Sequence, residues 1–205
     1  MKSMQELIDS MIIAGTLHTP AIIDAFYKID RKYFVPEAFS EFTYIDRPLP
    51  IGKDQTISQP STVAFMLEQL SIKEGDKVLD IGSGSGWTTS LLCAIVGEEG
   101  SVTGLERVDD LIEQGKKNLE QFFFAERCHI QKAGEKLGIP GQTFDKILVS
   151  ASAQEIPYAL FEQLKTGGIL VIPVQNSIFK FTKFSNTKLQ KEEFPGFVFV
   201  PLITD

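Results

Sequence analysis

Residues 78–106, VLDIGSGSGWTTSLLCAIVGEEGSVTGLE, constrain the fold more than any other stretch of the chain. Val78, Leu79 and Ile81 form a short apolar run, as a buried strand requires. Gly82, Gly84 and Gly86 then alternate with Ser83 and Ser85. Residues 88–96 read as a helix that Gly97 and Gly100 end, and residues 101–105 as the next strand, closing on Glu106. A strand, a glycine turn that admits a ligand to the backbone, and an acid about 20 residues on that can hold a ribose is the logic of dinucleotide-binding units. The spacing here departs from it. The turn is G-x-G-x-G, Trp87 stands where the dinucleotide pattern wants its third glycine, and Asp80 precedes the turn.

This variant resembles the cofactor loop of class I S-adenosylmethionine-dependent methyltransferases. Such a cofactor carries no phosphate, so its loop has none to cradle. It presents an amino-acid end, a ribose and an adenine. The resemblance implies that the turn from Gly82 through Ser83, Gly84 and Ser85 to Gly86 lines the cofactor. Asp80 can meet the ammonium group directly or through water, Glu106 can accept two ribose hydroxyls, and Glu135 can accept from the adenine amino group. Taken one at a time, the glycines could be a plain tight turn and Glu106 a solvated carboxylate.

The rest of the chain supports one α/β unit. Strands at 78–81, 101–105, 128–132, 144–149 and 169–174 alternate with helical segments at 88–96, 108–124 and 157–164. That alternation predicts a mostly parallel sheet with helices on both faces. Ligands of such sheets sit at the carboxyl ends of the strands, which groups Gly82–Gly86, Glu106, Glu135 and residues 150–153. Period-2 alternation at 179–184 and 197–200, around Pro195-Gly196, predicts a returning antiparallel pair. Ahead of the core, Met4, Leu7, Ile8, Met11 and Ile12 mark one helix face. Thr19-Pro20 opens a second helix with Ile22, Ile23, Phe26 and Ile29 inward. Phe26, Tyr33, Phe34, Phe39, Phe42 and Tyr44 either pack this cap onto the core or line a peptide groove. Residues 45–60 are loop-like, with Pro48, Pro50, Gly52 and Pro60 forbidding a long element, and a helix follows over 61–70.

Charge and cysteine content narrow the function. The net charge of −7 argues against binding by phosphate neutralisation, so no nucleic-acid partner is expected. No apolar run reaches the roughly 18 residues of a spanning helix, and the N-terminal stretch lacks a basic region and cleavage site, so a cytoplasmic protein with no membrane partner is expected. Cys93 and Cys128 read as two buried thiols in a reducing compartment. His18 and His129 are too few for a histidine metal cage, and no metal site is expected.

The acceptor side rests on the loop. Many amine and base methyltransferases carry Asn or Asp, Pro-Pro and an aromatic after the fourth strand. Here that position reads Val149-Ser150-Ala151-Ser152-Ala153, which argues against an exocyclic amine. A carboxylate acceptor, with a pKa near 4, is already ionised at neutral pH and needs no general base. A hydroxyl of Thr56 or Ser58 could hold it in line, although Ser58 or Ser61 could equally cap the following helix.

Several motifs together resemble the protein-L-isoaspartate O-methyltransferase family. They are Asp30-Arg31-Lys32-Tyr33-Phe34-Val35-Pro36, Pro48-Leu49-Pro50-Ile51-Gly52, Gln55-Thr56-Ile57-Ser58-Gln59-Pro60, the glycine turn, and Phe199-Val200-Pro201-Leu202. The match covers nearly the whole chain, and its Thr-Ile-Ser loop and Phe-Val-Pro-Leu end are more specific than the turn. The resemblance implies a three-layer, Rossmann-like α/β fold over 1–205, with a helical cap and acceptor loop at 1–60 and a cofactor core at 61–205. It implies methyl transfer from S-adenosyl-L-methionine, released as S-adenosyl-L-homocysteine, to the α-carboxyl of L-isoaspartyl residues in aged proteins. The ester then closes to a succinimide that partly reopens to aspartyl. Ser58 becomes the active-site residue, with Thr56 and Ile57 beside the cofactor, in a monomer acting on isoaspartyl peptides. Three positions depart from the family pattern: Ser61 for a Tyr or His, Gly134-Glu135-Lys136 for Gly-Asp-Gly, and Trp87 for Tyr. A carboxyl methyltransferase with another peptide acceptor, or a non-catalytic cofactor binder, stays open as an alternative.

Overall fold

The computed structural model describes residues 3–124 and 127–203. The sheet is built around β3 (Lys77–Ile81), with β4 (Ser101–Glu106) and β5 (Cys128–Lys132) on one side. On the other side lie β6 (Phe144–Val149), β7 (Leu164–Val174), β8 (Ser177–Ser185) and β9 (Lys188–Pro195). The strand order is β5-β4-β3-β6-β7-β8-β9, with β8 antiparallel to both β7 and β9 and the other pairs parallel. The chain leaves β3 in one direction and returns to β6 in the other. The carboxyl ends of β3 and β6 therefore flank a topological switch point, where such sheets open a crevice.

Alternation along β3 divides the layers. Val78 joins the core beneath α1 (Met4–Ile13), α2 (Pro20–Lys28), α3 (Pro60–Leu70), α4 (Trp87–Val96) and α5 (Asp109–Glu120). Leu79 and Ile81 join the opposite core with Leu160 and Phe161, from the short α6 (Ala159–Glu162) and its neighbourhood. The three layers are thus unequal: five helices cover one face, and α6 with the loop around Leu137 and Ile139 covers the other. Of the cap aromatics, Phe34 stacks on Phe122 at 5.7 Å and Phe26 meets Trp87 edge-on at 5.7 Å, while Tyr33 and Phe42 stay exposed.

Four sequence expectations shift. Strand β8 pairs antiparallel with β7 and with β9, and 197–200 is not its partner. Strand β9 is a charged edge strand, Lys-Leu-Gln-Lys-Glu-Glu, whose polar residues guard an exposed edge and hide it from an apolar reading. Residues 200–202 instead cross the carboxyl ends, with Ser152 N–H donating to Val200 O and Leu202 N–H to Ser152 O, each at 2.8 Å. The 45–60 loop contains a small hairpin, β1 (Leu49–Gly52) with β2 (Gln55–Ile57). The helical spans at 108–124 and 157–164 shorten to α5 and α6. Finally, Cys93 and Cys128 are joined as a disulfide rather than standing as separate thiols, with Cα atoms 6.2 Å apart. Parallel pairing sets Cys128 opposite Val102, which brings β5 under α4, a proximity that 35 residues of separation conceal. Both sulfurs are buried as expected.

Candidate active site

The glycine turn is stitched to the next strand. Gly82 N–H and Ser83 N–H both donate to Leu105 O, at 2.8 and 3.0 Å. Gly84 N–H donates to Glu106 Oε2 at 2.9 Å. Gly86 has φ +87°, and a Cβ there would lie 3.0 Å from Gly115 O, so a side chain is excluded by both conformation and space. Asn118 of α5 fastens the turn from behind, its amide donating to Ser85 O at 2.9 Å.

Glu106 ends β4, where the sequence places it, and is only 8% exposed. Besides Gly84, its carboxylate accepts from the N–H groups of Arg107 at 2.7 Å and Val108 at 3.1 Å. A cavity of about 260 Å³ opens against it. Its walls include Thr56, Gly82, Gly84, Glu106, Glu135 and Ser150. The C-terminal segment from Val200 to Ile203 forms a further wall, fixed in part by Arg107 Nη1 donating to Ile203 O at 2.8 Å. Glu135 is exposed in the loop after β5. A second, smaller pocket of about 30 Å³ shares Thr56, Gly82, Gly84 and Ser150 with the first and adds Ile57, Ser58, Ser83, Ser85 and Trp87. The two adjoin at these shared residues; together they are the recess, with Glu135 in the wall of the larger pocket and Ser58 in that of the smaller.

Asp80 differs from the other acids. It is fully buried beneath the turn and absent from the cavity wall. Its Oδ2 accepts from Thr89 Oγ1 at 2.6 Å, while Oδ1 has no partner. Burial pushes its carboxyl up to about 7, opposed by the Thr89 hydroxyl, with the Glu106 charge adding to the push and Ser150 opposing it. Ser83 Oγ is likewise buried without a partner. The orphaned Ser83 hydroxyl, in the wall of the smaller pocket, the Glu106 carboxylate and the glycine cradle suit a ligand carrying polar groups, while Asp80 stays out of its reach. A Cβ on Gly84 would come within 3.2 Å of Ile51, part of the same wall. S-adenosylmethionine fits this donor and acceptor set.

Neither Ser58 nor Ser61 caps α3. That task falls to Asp46, whose Oδ1 accepts from Ser61 N–H at 2.8 Å. Ser58 is half-buried in the wall of the small pocket. Among the described residues, no group of three or more His, Cys, Asp or Glu is placed to hold a metal ion.

A family profile described as protein-L-isoaspartate(D-aspartate) O-methyltransferase matches residues 2–205. The chain belongs to this family. Relatives of that name include one from Ignicoccus hospitalis, 38% identical over 98% of this chain and 97% of its own length. Another, from Fervidobacterium nodosum, is 41% identical over 88% of this chain and 92% of its own. Among solved structures, a Plasmodium falciparum chain described as a beta-aspartate methyltransferase, in complex with S-adenosyl-L-homocysteine, superposes with a TM-score of 0.89. It is 26% identical, and each chain covers 100% of the other.

Within this family fold, the recess gathers Thr56, Ile57, Ser58, Gly82, Ser83, Gly84, Ser85, Glu106 and Glu135, and leaves Asp80 and Gly86 out of its walls. The sequence reading missed three pairs of contributors. Arg107 and Val108 supply N–H groups to Glu106, Ile51 and Gln55 extend the wall, and Arg31 and Asp46 hold the loop. The wall residues 200–202 had a signal in the Phe-Val-Pro-Leu motif, but it read as a strand. Arg31 lay inside a quoted motif with nothing to mark its burial.

Proposed function

We infer that this chain is a protein-L-isoaspartate O-methyltransferase, acting on the α-carboxyl of L-isoaspartyl residues in peptides and aged proteins. The observation that carries this reading is the pair of adjoining pockets that share Thr56, Gly82, Gly84 and Ser150, with Glu106 and Glu135 in the wall of the larger and Ser58 in that of the smaller. When bound, S-adenosylmethionine supplies a methyl group on a positively charged sulfonium. Glu106 would hold the ribose hydroxyls and Glu135 the adenine amino group. The turn from Gly82 to Gly86, with Ser83 and Ser85, would meet the amino-acid end, together with Thr56 and Ile57 from the loop. Asp80, bonded to Thr89 beneath the turn, lies outside the wall and takes no part in holding the cofactor.

Ser58 would hold the acceptor. Because a carboxylate is ionised at neutral pH, the protein has no proton to remove. Its work is to keep the acceptor oxygen in line and to exclude water, which is an orientation effect. Thr56 lines both pockets and Ser58 the smaller one, which supports giving their hydroxyls that task. The resulting methyl ester closes to a succinimide without further help from the protein.

A monomer is part of the proposal. No helix among the described residues is long and apolar enough to cross a membrane. The net charge of −7 favours protein over nucleic-acid acceptors. A cytoplasmic setting is part of the proposal, and the paired Cys93 and Cys128 pull against it, because such compartments keep thiols reduced. Incubation with methyl-labelled cofactor and an isoaspartyl peptide tests the function. Base-labile label on the peptide, released as methanol, is expected; an unlabelled peptide with cofactor bound would overturn the reading.

A further inference from the structure

Arg31 opens the 3-10 turn Arg31–Tyr33, and its side chain is completely buried. Its partners are unusual for a buried cation, being neutral carbonyls of one segment. Nη1 donates to Thr43 O at 2.8 Å and to Ile45 O at 3.3 Å. Nη2 donates to Arg47 O and to Ser58 O, each at 3.0 Å. The guanidinium carbon lies 5.4 Å from the centre of the Trp87 ring. Trp87 is the first residue of α4, directly after Gly86, and its indole N–H donates to Ile29 O at 3.2 Å. Asp46 supplies the nearby opposite charge, but its own oxygens accept from Ser61 N–H and the Gln59 amide. Burial lowers the guanidinium to about 10, against the Asp46 charge, so it stays a cation at neutral pH.

We propose that Arg31 is a positioning residue for methyl transfer, setting the distance between the Ser58 loop and the glycine turn. This rests on the reading of Ser58 as the acceptor end of the site. The loop has little structure of its own, with strands of four and three residues. The guanidinium grips both ends of it, from Thr43 to Ser58, and lies over the residue that follows the turn. Its planar fork presents donors in fixed directions, which a lysine ammonium concentrates at one point and cannot reproduce. Without it, the four carbonyls lose a shared donor in a buried place, and Ser58 is free to drift from the turn.

The test compares Arg31→Lys and Arg31→Ala with the wild type, using an isoaspartyl peptide for turnover and calorimetry with S-adenosylhomocysteine for cofactor affinity. For Arg31→Lys, kcat should fall by about 10²-fold, the cost of misplacing reacting groups by roughly an ångström, while cofactor affinity changes by less than about threefold. Turnover by Arg31→Ala should recover as millimolar guanidinium is added. Undiminished kcat in Arg31→Lys, parallel losses of kcat and cofactor affinity, or failure of both variants to fold would each overturn the proposal. A wild type that binds cofactor and leaves the peptide unmodified overturns the functional reading, and this inference with it. An active wild type beside an equally active Arg31→Lys overturns this inference alone.

Discussion

The glycine turn and the Ser58 loop face each other across one small pocket, yet they are held in different ways. The turn is fixed from within the sheet: its N–H groups bond to Leu105 O and to the Glu106 carboxylate, and Gly86 is wedged against Gly115. The loop is fixed by side chains: Arg31 reaches in from elsewhere in the chain, and the loop's own Asp46 ties it to the start of α3. A turn locked by strand register admits few changes, which suits a cofactor that never varies. A loop hung on side chains can be re-aimed by substitution, which suits the half of the site that must choose an acceptor.

The sharpest way to separate the two halves is Ser58→Ala. Turnover should fall on the order of 10²-fold as in-line holding is lost, with cofactor affinity within about twofold of wild type. Intact turnover would move the acceptor end away from Ser58. Glu106→Gln strikes the other half. Losing a charged hydrogen-bond acceptor is worth about 1.5 kcal/mol, or roughly tenfold in cofactor affinity, and kcat at saturating cofactor should be nearly unchanged. A kcat loss larger than the affinity loss would mean that the halves are not separable.

The smallest effect concerns Asp80, which belongs to the turn but not to the recess. Its folded carboxyl is raised to about 7 by burial, above its ordinary value. The folded chain therefore keeps a proton that the unfolded chain releases at about pH 4. The stability linked to this group is complete below about pH 4 and is lost as pH rises through about 7. Asp80→Asn should flatten the melting-temperature profile across that window, by a few degrees at its upper end. An unchanged slope would show that the carboxyl ionises freely where it sits.

The same contrast decides what could be read from the residues alone. The strand, turn and acid at 78–106 are local, so spacing and composition expose them, and Trp87 marks the departure from dinucleotide binding. The loop's supports act over long separations. Arg31 bonds only to backbone carbonyls, which leave no trace in residue identity, and Asp46 caps a helix that begins well after it. The serine capping reading failed for that reason. The Cys93–Cys128 pairing and the crossing of residues 200–202 are likewise products of sheet register rather than local pattern. Strand β9 was missed because an exposed edge is written in charge, not in apolar alternation.

The most direct measurement is kcat/KM on two peptides that differ only in carrying an isoaspartyl or an aspartyl residue at one position. Methyl transfer confined to the isoaspartyl peptide is the expected result. Equal transfer to both, or transfer to neither while S-adenosylmethionine binds, would contradict the assignment of the Ser58 loop as the part that recognises the damaged residue.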